Sequence, residues 1–155
     1  MSDSRVCPCG SGRLENECCL KFILGEEVAA TAELLMRSRY TAYVTLNQTY
    51  LLTTWHQSTR PEQLNLTQAG IIWKGLNICK TQAGQETDQR GVVEFIAKYE
   101  ESGRISQVHE ASRFIYEQGK WFYVDGDIIN SEKISRNAKC SCGSGKKFKR
   151  CCAQI

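Results

Sequence analysis

The chain has 155 residues and a mass of 17.5 kDa, enough for one domain with a buried core and two small appendages. Hydrophobic residues make up 41% and charged residues 24%, as in globular proteins, and there is no run of about 18 apolar residues to span a membrane. The formal charge of +3 counts every cysteine as a neutral thiol. Metal-bound thiolates would bring it close to zero, so overall charge does not favour nucleic acid as a partner.

The first predicted element is a metal knuckle over residues 1–22, built on what we call the N-terminal cysteine cluster. Its members are Cys7, Cys9, Cys18 and Cys19, two close pairs separated by eight residues. The first residues carry no apolar stretch of a signal peptide, so we expect a cytoplasmic protein. In that reducing compartment clustered thiols favour a metal site over disulfides. The Gly-Ser-Gly sequence at 10–12 supplies the positive φ angles of a tight reversal between the pairs.

Helices are predicted next along the chain. Residues 28–46 place apolar side chains at 3.6-residue spacing, which predicts an amphipathic helix. A short helix is expected over 49–55, and a third over 60–66, where Pro61 marks the first turn. Gly70 ends this helical part of the chain.

Strands follow, because from residue 71 the apolar spacing changes to period two. The predicted strands are 71–82, 91–100, 104–118 and 121–124, with 125–127 closing the last one and 128–138 forming a polar linker. Helices followed by antiparallel strands predict an α+β domain with two layers, and we assign it to residues 27–128.

A second cluster, the C-terminal cysteine cluster, repeats the spacing of the first within a predicted knuckle at 137–155. Its members are Cys140, Cys142, Cys151 and Cys152. Five basic residues and no acidic one accompany them: Lys139, Lys146, Lys147, Lys149 and Arg150. Two interpretations of these cations stay open. They compensate the negative charge of a four-thiolate metal site, or they dock an acidic protein surface, a phosphate or a nucleic-acid backbone.

The two clusters predict two bound metal ions, with zinc as the expected metal, although sulfur tetrads also accept iron. Four cysteines close the coordination shell, whereas catalytic zinc keeps one position open. We therefore expect each metal to hold together a segment too small to fold alone, and we expect no catalysis at the metals.

In the middle domain, three polar residues are candidates for a ligand pocket. Strand alternation places His109 and Arg113 on one face of the third strand and Glu110 on the other. His56 is the second of the chain's two histidines. A histidine with a nearby carboxylate and an arginine can act as a base with an anion clamp, but a strand histidine is more often simply hydrogen-bonded. The isolated Cys79 is expected to be a small buried residue.

The C-terminal sequence closely resembles the SEC-C motif over residues 137–152. That motif is the zinc-binding tail of the bacterial preprotein translocase motor protein, where it contacts a secretion chaperone and phospholipid. The resemblance implies a zinc site and a docking role for the C-terminal knuckle. The N-terminal copy resembles the motif in spacing but lacks the basic run, so the docking role is not carried over to it.

The whole arrangement resembles the YchJ family of small bacterial proteins. The segments that carry this resemblance are 35–43 (Leu-Met-Arg-Ser-Arg-Tyr-Thr-Ala-Tyr), 54–56 (Thr-Trp-His) and 109–114 (His-Glu-Ala-Ser-Arg-Phe). The resemblance implies a middle domain similar to nuclear transport factor two, a cone of helices on a curved antiparallel sheet. It implies no reaction, because such domains include enzymes and pure binding modules.

Three functional hypotheses follow. The first is a zinc-binding cytosolic adaptor that docks a secretion chaperone, the ribosome or a membrane surface through the C-terminal knuckle. The second is an enzyme or small-ligand binder that uses a pocket of the middle domain. The third is direct nucleic-acid binding through the basic knuckle. The sequence leaves an enzymatic role open and favours a non-enzymatic one.

Overall fold

The computed structural model describes residues 5–64, 66 and 70–133, with only the backbone given for 130–133. The predicted C-terminal knuckle, with its four cysteines and five basic residues, lies outside this part of the chain. The elements in chain order are a 3-10 turn Glu15–Glu17, helices α1 Cys19–Ile23, α2 Ala32–Val44 and α3 Gln48–Thr53, and strands β1 Ile72–Ala83, β2 Arg90–Glu101, β3 Arg104–Glu117 and β4 Lys120–Lys133. No helix within these described ranges is long and apolar enough to cross a bilayer.

The two main predicted helices are present, and side-chain caps fix where they begin. Thr31 accepts a hydrogen bond from the backbone N–H of Leu34 at 3.2 Å, so α2 begins at residue 32 rather than 28. Asn47 caps α3 in the same way through the N–H of Tyr50 at 3.0 Å. The buried face of α2 carries the expected apolar residues, which include Leu35, Met36 and Tyr40.

The predicted third helix over 60–66 is wrong for the residues that the structure describes there. The preceding segment is instead hydrogen-bonded to the outermost strand β4. The backbone N–H of His56 donates to the carbonyl of Tyr123 at 2.7 Å, and the hydroxyl of Thr59 donates to the carbonyl of Val124. These bonds replace the intrahelical bonds that a helix would supply, so the segment follows the sheet.

The four strands form one antiparallel sheet in sequential order. The helices cover one face, which we call the inner face, where Val93, Phe95 and Ala97 join the core as alternation predicts. The register also confirms the alternation predicted for β3. His109 pairs with Ile96 and Glu110 with Phe95, so the histidine lies on the outer face, away from the helices.

Strand β4 is longer than the sequence indicates, because it continues through the acidic segment that was expected to close it. Residues 128–133, expected to begin a linker, are therefore also strand. Asp125 and Asp127 lie on the outer face, where both pair with Arg113. Between them, the backbone of Gly126 passes so close to the Glu110 carboxylate that a Cβ atom would collide with it. Ion pairs on one face and a glycine on the other thus keep a polar sequence in the sheet.

The N-terminal segment shares the core of the middle domain. The four cysteines of the N-terminal cluster and Phe22 are buried in the same hydrophobic cluster as Leu35, Met36, Phe95 and Trp121. In the described part of the chain, the predicted N-terminal knuckle is therefore packed on the domain rather than attached beside it.

Candidate metal centre

The N-terminal cysteine cluster brings four buried sulfur atoms together. Every pair of these sulfurs lies within 4.8 Å. Cys9 and Cys18 are 3.6 Å apart, and Cys18 and Cys19 are 3.9 Å apart. These are separations of free thiols, since a disulfide would hold its sulfurs about 2.05 Å apart. The sulfur edges of a tetrahedral zinc site measure roughly 3.8 Å, so the donor set and its spacing fit one metal ion.

A short hairpin brings the two cysteine pairs together. Val6 and Leu14 form an antiparallel bridge, and the N–H of Cys7 donates to the carbonyl of Arg13 at 2.8 Å. Gly10 and Gly12 adopt φ angles of 81° and 82°, which confirms the reversal that the Gly-Ser-Gly sequence predicts. The second pair then follows the 3-10 turn and enters α1.

Polar contacts fix this hairpin to helix α2 and strand β1. Arg37 donates to the backbone carbonyl of Cys9 at 2.8 Å and lies 4.0 Å from its sulfur. The Cys7 sulfur lies 3.6 Å from the hydroxyl of Thr41. Gly10 approaches the carbonyl of Leu76 so closely that an added Cβ would lie 3.0 Å from that oxygen. The cysteine hairpin is therefore positioned by the middle domain as well as by its own turn.

The electrostatics of the four thiols favour a bound cation. Hydrogen bonds from Cys19 and Cys7 hold the pKa of Cys9 far below its ordinary value, which makes it a thiolate. The pKa of Cys19 is raised by its hydrogen bonds to Cys7 and Cys9 and by burial, so this thiol keeps its proton without metal. Several thiolates cannot share a buried site unless a cation compensates them. A divalent ion would supply that charge, and the four cysteines would fill its shell.

The three pocket candidates of the middle domain lie at separate places. His56 hydrogen-bonds Glu117 at 2.8 Å and Ser58 at 2.7 Å, and it lines a small cavity of roughly 90 Å³. Arg113 is 45% exposed on the outer face and pairs with two aspartates. His109 contacts Glu94 on the same face. Arg113 lines a different cavity from the one that His56 lines.

An interior polar cluster is the feature that sequence reasoning missed. Its centre is Arg39, which is 2% exposed and donates to the carbonyl of Leu51 at 2.8 Å and the hydroxyl of Thr54 at 2.7 Å. Its guanidinium stacks on the rings of Trp55 and Tyr123, at 5.0 and 4.6 Å from their centroids. Burial lowers the pKa of this arginine. The sequence signal that could have revealed this cluster is the position of Arg39 on the buried face of the predicted helix.

A carboxylate belongs to the same interior. Glu110 accepts hydrogen bonds from Ser112 at 2.9 Å and from the hydroxyl of Tyr123 at 3.3 Å. Burial raises the pKa of Tyr123, and the nearby Glu110 charge raises it further. No carboxylate of the described residues lies within ion-pair distance of Arg39, so aromatic faces and neutral oxygens solvate its charge.

Cys79 is exposed, and the expectation that it is buried is wrong. The pairing of β1 with β2 is irregular between Ile78 and Lys80, and Cys79 is the residue inserted there. Because the preceding Ile78 lies on the inner face, alternation places Cys79 on the outer face, which the helices do not cover. Cys79 consequently joins Glu94 and His109 on the outer face.

Comparison with known proteins places this architecture among α+β proteins that carry SEC-C motifs. Residues 31–126 match the YchJ middle NTF2-like domain, and residues 136–154 match the SEC-C motif. A UPF0225 protein of Enterobacter sp. (strain 638) is 41% identical over 155 residues, covering 97% of this chain and 99% of the relative. The chain belongs to the YchJ family.

Two solved structures are similar to this one. A SEC-C motif containing protein from Rhodopseudomonas palustris superposes with a TM-score of 0.72 at 28% identity, over 81% of this chain and 100% of that protein. Another, from Psychrobacter arcticus, superposes with a TM-score of 0.65 at 26% identity, over 97% of each chain. These relatives support the mixed fold and the presence of a SEC-C motif.

Proposed function

We propose that the protein is a zinc-binding cytoplasmic adaptor in which the two cysteine clusters have different tasks. The N-terminal cluster holds its hairpin to the middle domain, and the C-terminal SEC-C knuckle docks a protein partner. The observation that carries this proposal is the burial of all four N-terminal cysteines in the core of the middle domain. A cluster used in this way is not available as a docking surface, which leaves that task to the other copy.

Charge supports the same division. The C-terminal motif carries five basic residues and no acidic residue, whereas the N-terminal motif mixes both signs. In the N-terminal hairpin, Arg5 pairs with Glu15 at 3.0 Å, so part of its charge is neutralised within the hairpin itself. A segment whose sequence carries basic residues and no acidic ones is suited to an acidic protein surface. We take a secretion chaperone and a ribosomal protein as the partner classes to test.

The test compares two full-length variants that lose the same charge. In the first, Lys139, Lys146, Lys147, Lys149 and Arg150 are replaced by glutamine. In the matched control, five exposed basic residues of the described chain are replaced in the same way: Arg13, Lys80, Arg90, Arg104 and Lys120. Binding to purified secretion chaperone and to purified ribosomes is measured by biolayer interferometry, with anionic vesicles and duplex DNA as separate arms.

The proposal expects one of the two protein-containing targets to bind, with affinity reduced at least about tenfold in the C-terminal variant and within about twofold in the control. Equal loss in both variants would mean a nonspecific charge effect and would overturn the docking role. Binding to vesicles or DNA alone would replace the protein partner by a lipid surface or a nucleic acid.

A small-ligand function of the middle domain is the second candidate, and one cavity favours it. A cavity of roughly 250 Å³ opens between the end of α1, helix α3 and strand β4. In its wall, Thr54 accepts a hydrogen bond from Arg39, and Tyr50 hydrogen-bonds Ser38 of α2. Thermal-shift measurements with small anions and nucleotides test it. Stabilisation that is abolished by filling the rim with Thr53→Trp would support this function, and no stabilisation by any compound would reject it.

A further inference from the structure

The outer face of the sheet carries a second group of metal-binding side chains, which we call the outer-face cluster. Its members are Cys79 of β1, Glu94 of β2 and His109 of β3. Their donor atoms, one sulfur, one oxygen and one nitrogen, all lie within 4.8 Å of one another. The three residues come from three adjacent strands and are far apart in sequence, so the fold itself assembles the group.

The register of the sheet explains how these side chains meet. His109 pairs with Ile96, two residues from Glu94, so the histidine and the glutamate are diagonal neighbours on one face. The distance from His109 Nε2 to Glu94 Oε2 is 3.2 Å. On the other side, Ile78 pairs with Phe95 on the inner face, so alternation places Cys79 on the outer face. The bulge that follows puts Lys80 beside it, opposite Glu94.

We propose that the outer-face cluster is a third metal site, which binds Zn²⁺ through the sulfur of Cys79, a carboxylate oxygen of Glu94 and Nε2 of His109. These distances suit zinc. Bonds of about 2.0–2.3 Å in a tetrahedral shell separate neighbouring ligand atoms by roughly 3.2–3.8 Å. The histidine and glutamate already meet this spacing, and the exposed Cys79 has rotamer freedom to approach.

The charges of the donors fit a divalent ion. A thiolate and a carboxylate contribute two negative charges, which one Zn²⁺ cancels, and the imidazole binds in its neutral form. The glutamate and histidine are about three-quarters buried, with side chains 25% and 22% exposed. A neutral occupied site is the arrangement that such partial burial tolerates. Two lysines, Lys80 opposite Glu94 and the buried Lys98, lie on this face as well.

This site would differ from the N-terminal cysteine cluster in one chemical respect. Three protein ligands leave the fourth position of a tetrahedral ion to water or to a ligand, whereas four cysteines leave none. Cys79 is exposed, so the open position faces solvent. The outer-face site would therefore hold an exchangeable zinc ion that accepts an external donor atom.

The experiment uses the full chain and counts zinc ions by native mass spectrometry. The wild-type protein is titrated with ZnCl₂ beside Cys79→Ser, Glu94→Gln and His109→Gln. The matched control is His56→Gln, because His56 also pairs with a glutamate, Glu117, at a distance of 2.8 Å. In the described chain, no cysteine lies with that pair in a metal-binding group. We expect the wild type and the control to bind one zinc ion more than each of the three variants, with affinity for this ion reduced at least about tenfold in those variants.

A second readout locates the ion. The chain has two histidines, so their side-chain nitrogens are assigned directly in a ¹H–¹⁵N spectrum. Zinc should shift the Nε2 resonance of His109 and leave the nitrogens of His56 unchanged. Equal zinc counts in the wild type and Cys79→Ser would overturn the proposal, as would a zinc-induced shift at His56 alone. The variants lie at partly exposed positions, and their circular dichroism spectra should match that of the wild type.

Discussion

The inner and outer faces of one sheet hold the same kinds of chemical group in opposite surroundings. On the inner side, four cysteines, an arginine and a glutamate lie in or beside the hydrophobic core. On the outer side, a cysteine, an arginine and a glutamate contact polar neighbours and are partly exposed. Burial, more than residue type, therefore decides whether a cysteine, arginine or glutamate stabilises the fold or is accessible to a ligand.

Each side also has its own way of compensating charge. The interior arginine is surrounded by aromatic rings and neutral oxygens, and the outer arginine by two aspartates. When a buried group is removed, its hydrogen-bond partners stay unsatisfied because water does not reach them. The partners of an exposed group are hydrated instead. The four predictions that follow contrast one inner group with an outer one, or examine the outer face alone.

The largest effect is expected from the thiols. Cys9→Ser removes one of the four buried thiols that would hold the proposed metal ion, and we expect a loss of about 4 kcal/mol or more in the free energy of unfolding, or a Tm lower by about 10 °C. Cys79→Ser should change the Tm by less than about 2 °C, because this cysteine is exposed. Thermal unfolding with two equivalents of zinc measures both. Equal shifts would mean that burial does not separate the two sites.

The next contrast concerns the arginines. Arg39→Lys loses the planar stacking on two aromatic rings and alters the two hydrogen bonds that Nη1 donates, so we expect a destabilisation of about 3 kcal/mol. Arg113→Lys, on the outer face, should lower the free energy of unfolding far less, because water and salt screen its ion pairs with the two aspartates. Urea unfolding followed by tryptophan fluorescence gives both values. A larger loss for the outer variant would reverse the comparison.

A smaller effect is expected where the backbone meets the Glu110 carboxylate. Gly126→Ala places a methyl group against that side chain, and we expect a cost of about 2 kcal/mol. The double variant Gly126→Ala/Glu110→Ala relieves the collision, so the two losses should be clearly less than additive in urea unfolding. Strict additivity would show that the glycine is required for another reason. Ala111→Ser, one position from Glu110 but on the outer face, serves as the control.

The smallest effect concerns pH. The hydrogen bond from Arg113 holds the pKa of Asp127 below its ordinary value. A carboxyl group with a lowered folded-state pKa adds stability above its unfolded pKa, near 4, and this contribution disappears as the pH falls through the folded-state value. NMR titration of Asp127 should show the lowered pKa in the wild type and an ordinary one in Arg113→Gln. An unchanged pKa in that variant would remove this ion pair from the account, and Arg104→Gln is the matched control.

Much of the fold could be predicted from local patterns in the sequence. Alternation predicted the faces of β2 and β3, and the cysteine spacing predicted that the four N-terminal cysteines lie together. Both patterns work because they depend on a fixed repeat or on short-range chain reversal. The NTF2-like middle domain followed from family resemblance and is matched over 31–126.

The features that could not be predicted depend on contacts between distant elements. The expected third helix fails because its flanking residues bond to β4, some 65 positions further along the chain. Strand β4 continues past its acidic residues because Arg113 of a neighbouring strand pairs with them. None of these contacts leaves a periodic signal in the sequence.

The central claim is that the N-terminal cysteines bind a structural metal ion, and one measurement tests it directly. The double variant Cys140→Ser/Cys142→Ser disables the C-terminal cysteine cluster. After removal of loosely bound metal by dialysis against a weak chelator, it should retain one zinc ion per chain. Its zinc X-ray absorption spectrum should show four sulfur neighbours at about 2.3 Å. A protein that is folded with no bound metal, or a zinc ion with fewer than four sulfur ligands, would contradict the claim.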